Sequence, residues 1–273
     1  MKSRLILVLA SLVACAVAAR PASAAAVDYL LEIDGIKGET SKSGFVDSIQ
    51  MRSFTVSNGS LSETQGSDST APALNNDLVS ATLIPHAAIG LYDDPNTATH
   101  PDAQLSFHNV LISSIQLVTM GSLLSETVGL QFASPALSLY LVLPGIPGES
   151  SPPGAPNAIA IDSLTVSGNS FSVHKAVDST SPALQSALLG AHDFVTASLL
   201  LYSSISTETK PDFSIVFSHA LISSIAGNGA SGQPTQTVSF DATGSAVPEP
   251  GPLALIARVV ACLLRSRSLS AGA

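Results

Sequence analysis

Leu111-Ile112-Ser113-Ser114-Ile115 and Leu221-Ile222-Ser223-Ser224-Ile225 are the same five residues written twice, 110 positions apart. An apolar alternation leads into each copy, through Leu105 and Phe107 in one and Ile215 and Phe217 in the other. That period of two belongs to a strand with one face buried. Five common residues can recur by chance, so the reading turns on whether the offset holds elsewhere. Gly35-Ile36-Lys37-Gly38-Glu39-Thr40 recurs as Gly145-Ile146-Pro147-Gly148-Glu149-Ser150, and Ser53-Phe54-Thr55-Val56-Ser57 as Ser163-Leu164-Thr165-Val166-Ser167. Ser69-Thr70-Ala71-Pro72-Ala73-Leu74 recurs as Ser179-Thr180-Ser181-Pro182-Ala183-Leu184, Tyr92 matches Tyr202, and Thr127-Val128 matches Thr237-Val238. The offset is 110 throughout, so we read a tandem duplication without net insertion. The expected units are residues 28–134 and 138–243, each of ordinary domain size.

Within a unit, Tyr29 to Ile33 and Leu139 to Leu143 read as buried strands ending at Gly, and Ile159, Ile161, Leu164, Val166, Phe171 and Val173 continue the β pattern. In the run that occurs twice, apolar and Ser positions alternate imperfectly, as if the strand bordered both a core and a neighbour. One helix is signalled in the second unit, with Ser181 as cap, Pro182 in the first turn, Leu184, Ala187 and Leu188 as apolar face and Gly190 as terminator. The first unit has Asn75, Asn76 and Asp77 there and no matching Gly, which predicts a shorter helix or none. Asn58 to Ser69 and Ser150 to Pro156 read as long loops. The expected fold is mainly β: two tandem small antiparallel β-barrels, each with at most one short helix.

The chain has 273 residues, 11 Lys and Arg, 20 Asp and Glu, and no Trp. Between Ala25 and Ala246 stand nineteen acids and five basic residues. Such a surface repels phosphate backbones, which excludes nucleic acid as a partner. Residues 1–24 read as an export signal: Lys2 and Arg4, an apolar run, then Ala22 and Ala24 flanking a cleavage site. Leu12-Val13-Ala14-Cys15 also fits a lipobox, with Cys15 as the acylated residue. Cys15 and Cys262 are the two cysteines, one in each terminal apolar segment, so no disulfide is expected in the body.

No catalytic, cofactor or metal motif is legible. His86, His100, His108, His174, His192 and His219 lack metal-binding spacing, and none recurs at an equivalent position. No Gly-x-Ser-x-Gly elbow is present. Asp93, Asp94 and Asp102 read as a solvated acidic turn, and Gly227 to Gly232 as a flexible turn with no helix behind it to cradle phosphate. An enzyme is not expected.

In the second unit Gly145 to Ser150, Phe171 to Leu184, Leu221 to Ile225 and Pro234-Thr235-Gln236-Thr237-Val238-Ser239-Phe240 follow one another in a definite order and spacing. In that order and spacing they resemble the Hcp family of type VI secretion tube proteins. The first unit is similar at Ile33-Asp34-Gly35-Ile36-Lys37-Gly38-Glu39-Thr40 and weaker in its middle. The resemblance implies barrels with one helix, six-membered rings that stack into tubes, and structural or protein-carrying work without catalysis. It makes a homo-oligomer expected, with three chains supplying six barrels to one pseudo-hexameric ring, and protein cargo as a partner. The tail 247–267 resembles a PEP-CTERM sorting signal: Val247, Pro248, Glu249 and Pro250, then the apolar segment Pro252 to Leu264, then Arg265 and Arg267. That implies an exosortase-like processing enzyme and a secreted or envelope-associated protein of a Gram-negative bacterium. The alternative is a working component of a type VI secretion system, as tube subunit or effector carrier.

Overall fold

The structure, a computed structural model, describes residues 27–42, 45–66, 70–92, 101–120, 123–134, 136–203, 211–228 and 233–246. The signal segment with Ala22, Ala24 and Cys15, and the sorting tail from Val247, Pro248, Glu249 and Pro250 onward, lie outside them. So do Asp93, Asp94 and His100.

The first half contains β1 (Asp28–Ile33), β2 (Ser41–Lys42), β3 (Phe45–Val46), β4 (Ile49–Ser57), β5 (Ser60–Gly66), α1 (Ala71–Ser80), β6 (Ile84–Tyr92), β7 (Ala103–Met120) and β8 (Leu123–Ser134). The second contains β9 (Leu137–Val142), β10 (Ile159–Ile161), β11 (Ser163–Ser167), β12 (Ser170–Ala176), α2 (Ser181–Leu189), β13 (Asp193–Ser203), β14 (Phe213–Asn228), β15 (Thr235–Asp241) and β16 (Gly244–Ala246). The fold is mainly β. In the first half the strands pair in the order β1-β6-β7-β8-β5-β4, and β4 returns to β1 through Tyr29↔Met51 and Leu31↔Ile49, closing a six-stranded antiparallel barrel. A closed barrel leaves no free edge within its own ring of strands.

The pairings of the second half repeat those of the first at the same offset. Tyr29↔Leu91 becomes Leu139↔Leu201, Tyr29↔Met51 becomes Leu139↔Ile161, and Ser62↔Gly129 becomes Ser172↔Ser239. One strand differs: where β4 runs unbroken past Arg52, its counterpart is interrupted at Asp162 into β10 and β11. The site is weak in both halves, since the β4–β5 register shifts between Met51 and Ser53.

The two Leu-Ile-Ser-Ser-Ile runs lie in β7 and β14. Each contains a β-bulge, between Ile112 and Ser114 and between Ile222 and Ser224. The bulge inserts one extra residue, so Ile112 and Ile115, or Ile222 and Ile225, face inward with two serines between them rather than one. The broken alternation therefore comes from the bulge, and not from a strand shared between core and neighbour. Two residues before each run, Asn109 and His219 sit in left-handed backbone (φ 55° and 50°), adding a second bend to the same strand.

The second half comes round in the same way, in the order β11-β12-β15-β14-β13-β9-β10 with β10 leading back into β11 through Asp162. Inside this second barrel Phe171 stacks on Phe240 at 4.5 Å and on Phe217 at 4.3 Å; in the first, Phe107 meets Phe132 at 4.5 Å. Each such ring contributes about 1.5–3 kcal/mol by burial. Leu74 and Leu184 anchor the helices on β7 and β14 and are fully buried.

Three local expectations are corrected. α1 has ten residues against nine in α2, despite its Asn-Asn-Asp sequence. Burial of Leu74 outweighs weak propensity, and Asn75 Nδ2 donates to the Ala71 carbonyl within the helix. Gly190 does end α2 as its C-cap, with φ −85°, and the left-handed residue is the next one, Ala191 (φ 45°), as Ala81 (φ 49°) is after α1. The cap of α2 is Thr180 rather than Ser181, whose hydroxyl instead accepts the Asp178 N–H. Finally, Ser60 to Gly66 is strand β5, entered through the two-residue turn Asn58-Gly59.

Candidate assembly surface

Among the described residues the polar side chains gather into no catalytic grouping. His174 lies beside Asp162 (3.4 Å) and His219 beside Asp193 (2.9 Å), each pair more than a third exposed. His86 faces Asp34 at 3.9 Å and tilts against His108, while His192 meets the edge of Phe194. Among the described residues no three His, Cys, Asp or Glu side chains converge to hold a metal ion. What the structure gathers is surface, and it does so where the halves meet.

The halves meet on β4 and β11, which pair antiparallel through Ser53↔Ser167, Phe54↔Val166, Thr55↔Thr165, Val56↔Leu164 and Ser57↔Ser163. Phe54, Val56, Leu164 and Val166 point inward and are buried, so both barrels lie on the same side of the shared ladder. The outward positions are hydroxyls. Thr55 Oγ1 and Thr165 Oγ1 stand 2.8 Å apart, and Ser57 Oγ is 2.6 Å from Ser60 Oγ. Directly opposed residues carry this row outward through Ser62 and Gly129 on one side and Ser172 and Ser239 on the other. A row of small, uncharged side chains thus runs across the join, and Thr165, Ser172, Ser223 and Ser239 line a pocket on it.

Two further bonds flank the ladder at corresponding places. The turn after β4 supplies Asn58 Oδ1 to the Leu137 N–H at the start of β9 (3.1 Å). The turn after β11 offers the Gly168 carbonyl to the Tyr29 hydroxyl in β1 (3.2 Å). Tyr29 is buried, its ring edge-on to Phe54 at 5.3 Å. Its hydroxyl is pushed up to about 12, chiefly by burial, with the Ser245 hydrogen bond opposing and the Asp28 charge assisting. A folded value raised above the ordinary 10.0 gives stability that is full below pH 10 and lost as pH climbs toward 12. At about 1.4 kcal/mol per pH unit the loss is roughly 3 kcal/mol. Tyr29→Phe should therefore cost about 1–3 kcal/mol at neutral pH, by loss of the hydrogen bonds with the Gly168 carbonyl and with Ser245, and make the alkaline decline shallower. Urea midpoints measured from pH 8 to 12 check this; an unchanged alkaline slope would refute it.

Near the N-terminus of α2 the second barrel encloses a charge. Lys175 is 1% exposed, and its Nζ donates to Asp178 Oδ1 (2.7 Å) and to the Ala176 carbonyl (2.7 Å). Asp178 Oδ1 also accepts from the Thr180 N–H and hydroxyl, and Gln236 Nε2 donates to Ser181 Oγ. Burial raises the Asp178 carboxyl, but the bonds from Lys175 and Thr180 outweigh it and hold the group below its usual range. In the first barrel Gln65 stands in the place of Lys175, and its Nε2 donates to Thr70 Oγ1 at 3.2 Å.

The exposed large apolar side chains include an equivalent pair, Val79 and Leu189, in the last turn of each helix. Val195 and Leu221 are also exposed, on adjacent strands of the second barrel.

Residues 165–244 match the family model described as "Type VI secretion system effector, Hcp". Over that stretch the chain is similar to the Hcp family. The match starts in β11, ends at the first residue of β16 and covers less than a third of the chain. Among solved structures, Hcp1 from Salmonella typhimurium is 19% identical, with 39% of this chain and 83% of that chain covered at a TM-score of 0.36. A protein titled "Structure of a type six secretion system protein" is 21% identical over 39% of this chain and 80% of its own, TM-score 0.36. Secreted protein Hcp3 from Pseudomonas aeruginosa is 15% identical over 39% and 85%, TM-score 0.32. No curated protein matches the chain.

Proposed function

We propose that this is an exported, envelope-associated Hcp-like protein whose work is structural or protein-binding, built from two tandem Hcp-type units, 28–134 and 138–243. The family match over the second barrel carries the reading, and the recurrence of its strand pairings in the first barrel at an offset of 110 residues supports the tandem organisation. Surface without a catalytic cluster suits binding and assembly, and homo-oligomerisation is part of the proposal. Protein cargo would meet the uncharged hydroxyl row or the apolar positions Val79, Leu189 and Val195.

Export rests on the sequence of residues 1–24 and envelope sorting on Val247 to Pro250 with the segment behind them. An exosortase-like enzyme is the processing partner in this reading. Mass spectrometry of both mature termini tests it. Cleavage after Ala24 and loss of the segment after Pro250 are the expected results, whereas acylation at Cys15 would replace the cleavage with lipid anchoring. A full-length cytoplasmic protein would overturn the export reading in favour of a component of a type VI secretion system.

A further inference from the structure

We infer that the two barrels of this chain form a closed pseudo-dimer about a local twofold axis between Thr55 and Thr165, so that they cannot be neighbours in one six-membered ring. The inference rests on reading the halves as equivalent units, and goes beyond it to the way they assemble.

Thr165 is the counterpart of Thr55, Ser163 of Ser53 and Ser167 of Ser57. In the ladder Thr55 faces Thr165, Ser53 faces Ser167 and Ser57 faces Ser163. Each position on one strand thus meets the counterpart of its own mirror position, and the central pair are counterparts of each other. An antiparallel contact of that kind is isologous, and only a twofold axis generates it. The strand order reads the same outward from the join on either side: β4-β5-β8-β7-β6-β1 one way and β11-β12-β15-β14-β13-β9 the other. The flanking contacts obey the same symmetry, since the turn after β4 reaches the start of β9 and the turn after β11 reaches β1.

Neighbours in a ring are related by a rotation of one sixth of a turn, and their contact is heterologous: one patch meets a different patch. A residue in such a ring never lies beside its own counterpart away from the axis. The single ring made from three chains, expected on the resemblance, therefore needs a join this chain does not have. Strand edges 53–57 and 163–167 are instead a self-complementary edge whose partner is a second copy of the same barrel, satisfied within the chain. If rings form, each takes one barrel from each of six chains, and the second barrels make an opposed ring.

The body lacks cysteine, so disulfide trapping in the full chain, with Cys15 and Cys262 replaced by Ser, reads the geometry directly. Directly opposed residues on antiparallel strands have Cβ atoms about 4.5–5.5 Å apart, within reach of a disulfide after small adjustment. Thr55→Cys with Thr165→Cys, and separately Ser53→Cys with Ser167→Cys, should close within one chain on mild oxidation, giving a faster non-reducing band of unchanged mass. Cross-links between chains, or thiols left free in both variants, would overturn the proposal, as would a native mass of three chains. Thr64→Cys with Thr127→Cys, and His174→Cys with Thr237→Cys, test the same register inside each barrel. If both of these close while the join variants do not, the pseudo-dimer fails and the reading of two equivalent barrels stands. If the two barrels differ, that reading fails first.

Discussion

Gly148→Ala is expected to destabilise the protein by at least about 3 kcal/mol, far more than Gly145→Ala three residues earlier. A Cβ on Gly148 would stand 2.1 Å from the carbonyl oxygen of Ala158 and 2.6 Å from the Ile159 nitrogen. Both are backbone atoms, fixed because Gly148 N–H donates to the Asn157 carbonyl and Ser150 and Ala158 exchange two further bonds. No rotamer change relieves such a clash. The chain would have to part from the start of β10, whose Ile159 pairs with Leu141 to hold the barrel closed. Gly145, by contrast, has nothing within 4 Å of its added Cβ; its constraint is a φ of +85°, worth about 1–2 kcal/mol for an L-residue. Gly38 repeats the close approach, 2.0 Å from the Ser48 carbonyl oxygen, so Gly38→Ala should behave like Gly148→Ala. Urea unfolding of the three variants tests this; a Gly148→Ala protein no weaker than Gly145→Ala would remove the account of why Gly-Ile-x-Gly occurs twice.

That motif, and the bulged run, show what was legible in the sequence. Tight turns, close backbone approaches and bulges restrict residue type, so they survive as matching letters at a constant spacing. Strands whose inward positions are apolar, such as Phe171 and Val173 in β12, were legible by period. Its counterpart β5 was not, because its inward residues are Leu61, Glu63 and Gln65, all buried. Polar side chains facing a core erase the alternation that marks a strand. The helix α1 is illegible for a related reason: its stability comes from Leu74 against the barrel, a tertiary contribution that local propensity does not contain.

The join between the barrels was illegible altogether. Ser53-x-Thr55-x-Ser57 and Ser163-x-Thr165-x-Ser167 look like ordinary strands with a solvated face, and nothing in them announces that they pair with one another. Strand pairing is made by backbone groups that every residue carries. Which edge meets which depends on how far the closing pairing runs: β1 covers β4 only through residues 49–51 and β9 covers β10 only through 159–161, so 53–57 and 163–167 are left to pair with each other. The tight spacing between the units is consistent with this: β8 ends at Ser134 and β9 begins at Leu137, whose N–H is held by Asn58.

The buried lysine gives the second large effect. Asp178→Asn should cost about 3–5 kcal/mol, the range for removing one partner of a buried ion pair, because the Lys175 ammonium then keeps only neutral acceptors, the amide oxygen and the Ala176 carbonyl, has no counter-charge and has no path to water. Lys175→Met should cost clearly less. It fills the same space without a charge, and Asp178, whose side chain is 29% exposed, retains its bonds from Thr180 and contact with solvent. The order of the two variants separates a stranded buried charge from simple loss of an attraction, which would penalise both alike. The pH dependence follows from the same pair. The folded Asp178 carboxyl is held below its ordinary value of 3.8, so its contribution is present above that pH and lost as pH falls through the depressed folded value. In Asp178→Asn this share of acid sensitivity disappears, and stability should fall less steeply below pH 4 than in the parent. The first barrel has a neutral Gln65–Thr70 bond at the corresponding position, so Gln65→Met should leave the acid limb unchanged. Equal losses for Asp178→Asn and Lys175→Met at pH 7, or an unaltered acid limb in Asp178→Asn, would show that Lys175 is not a buried charge dependent on Asp178.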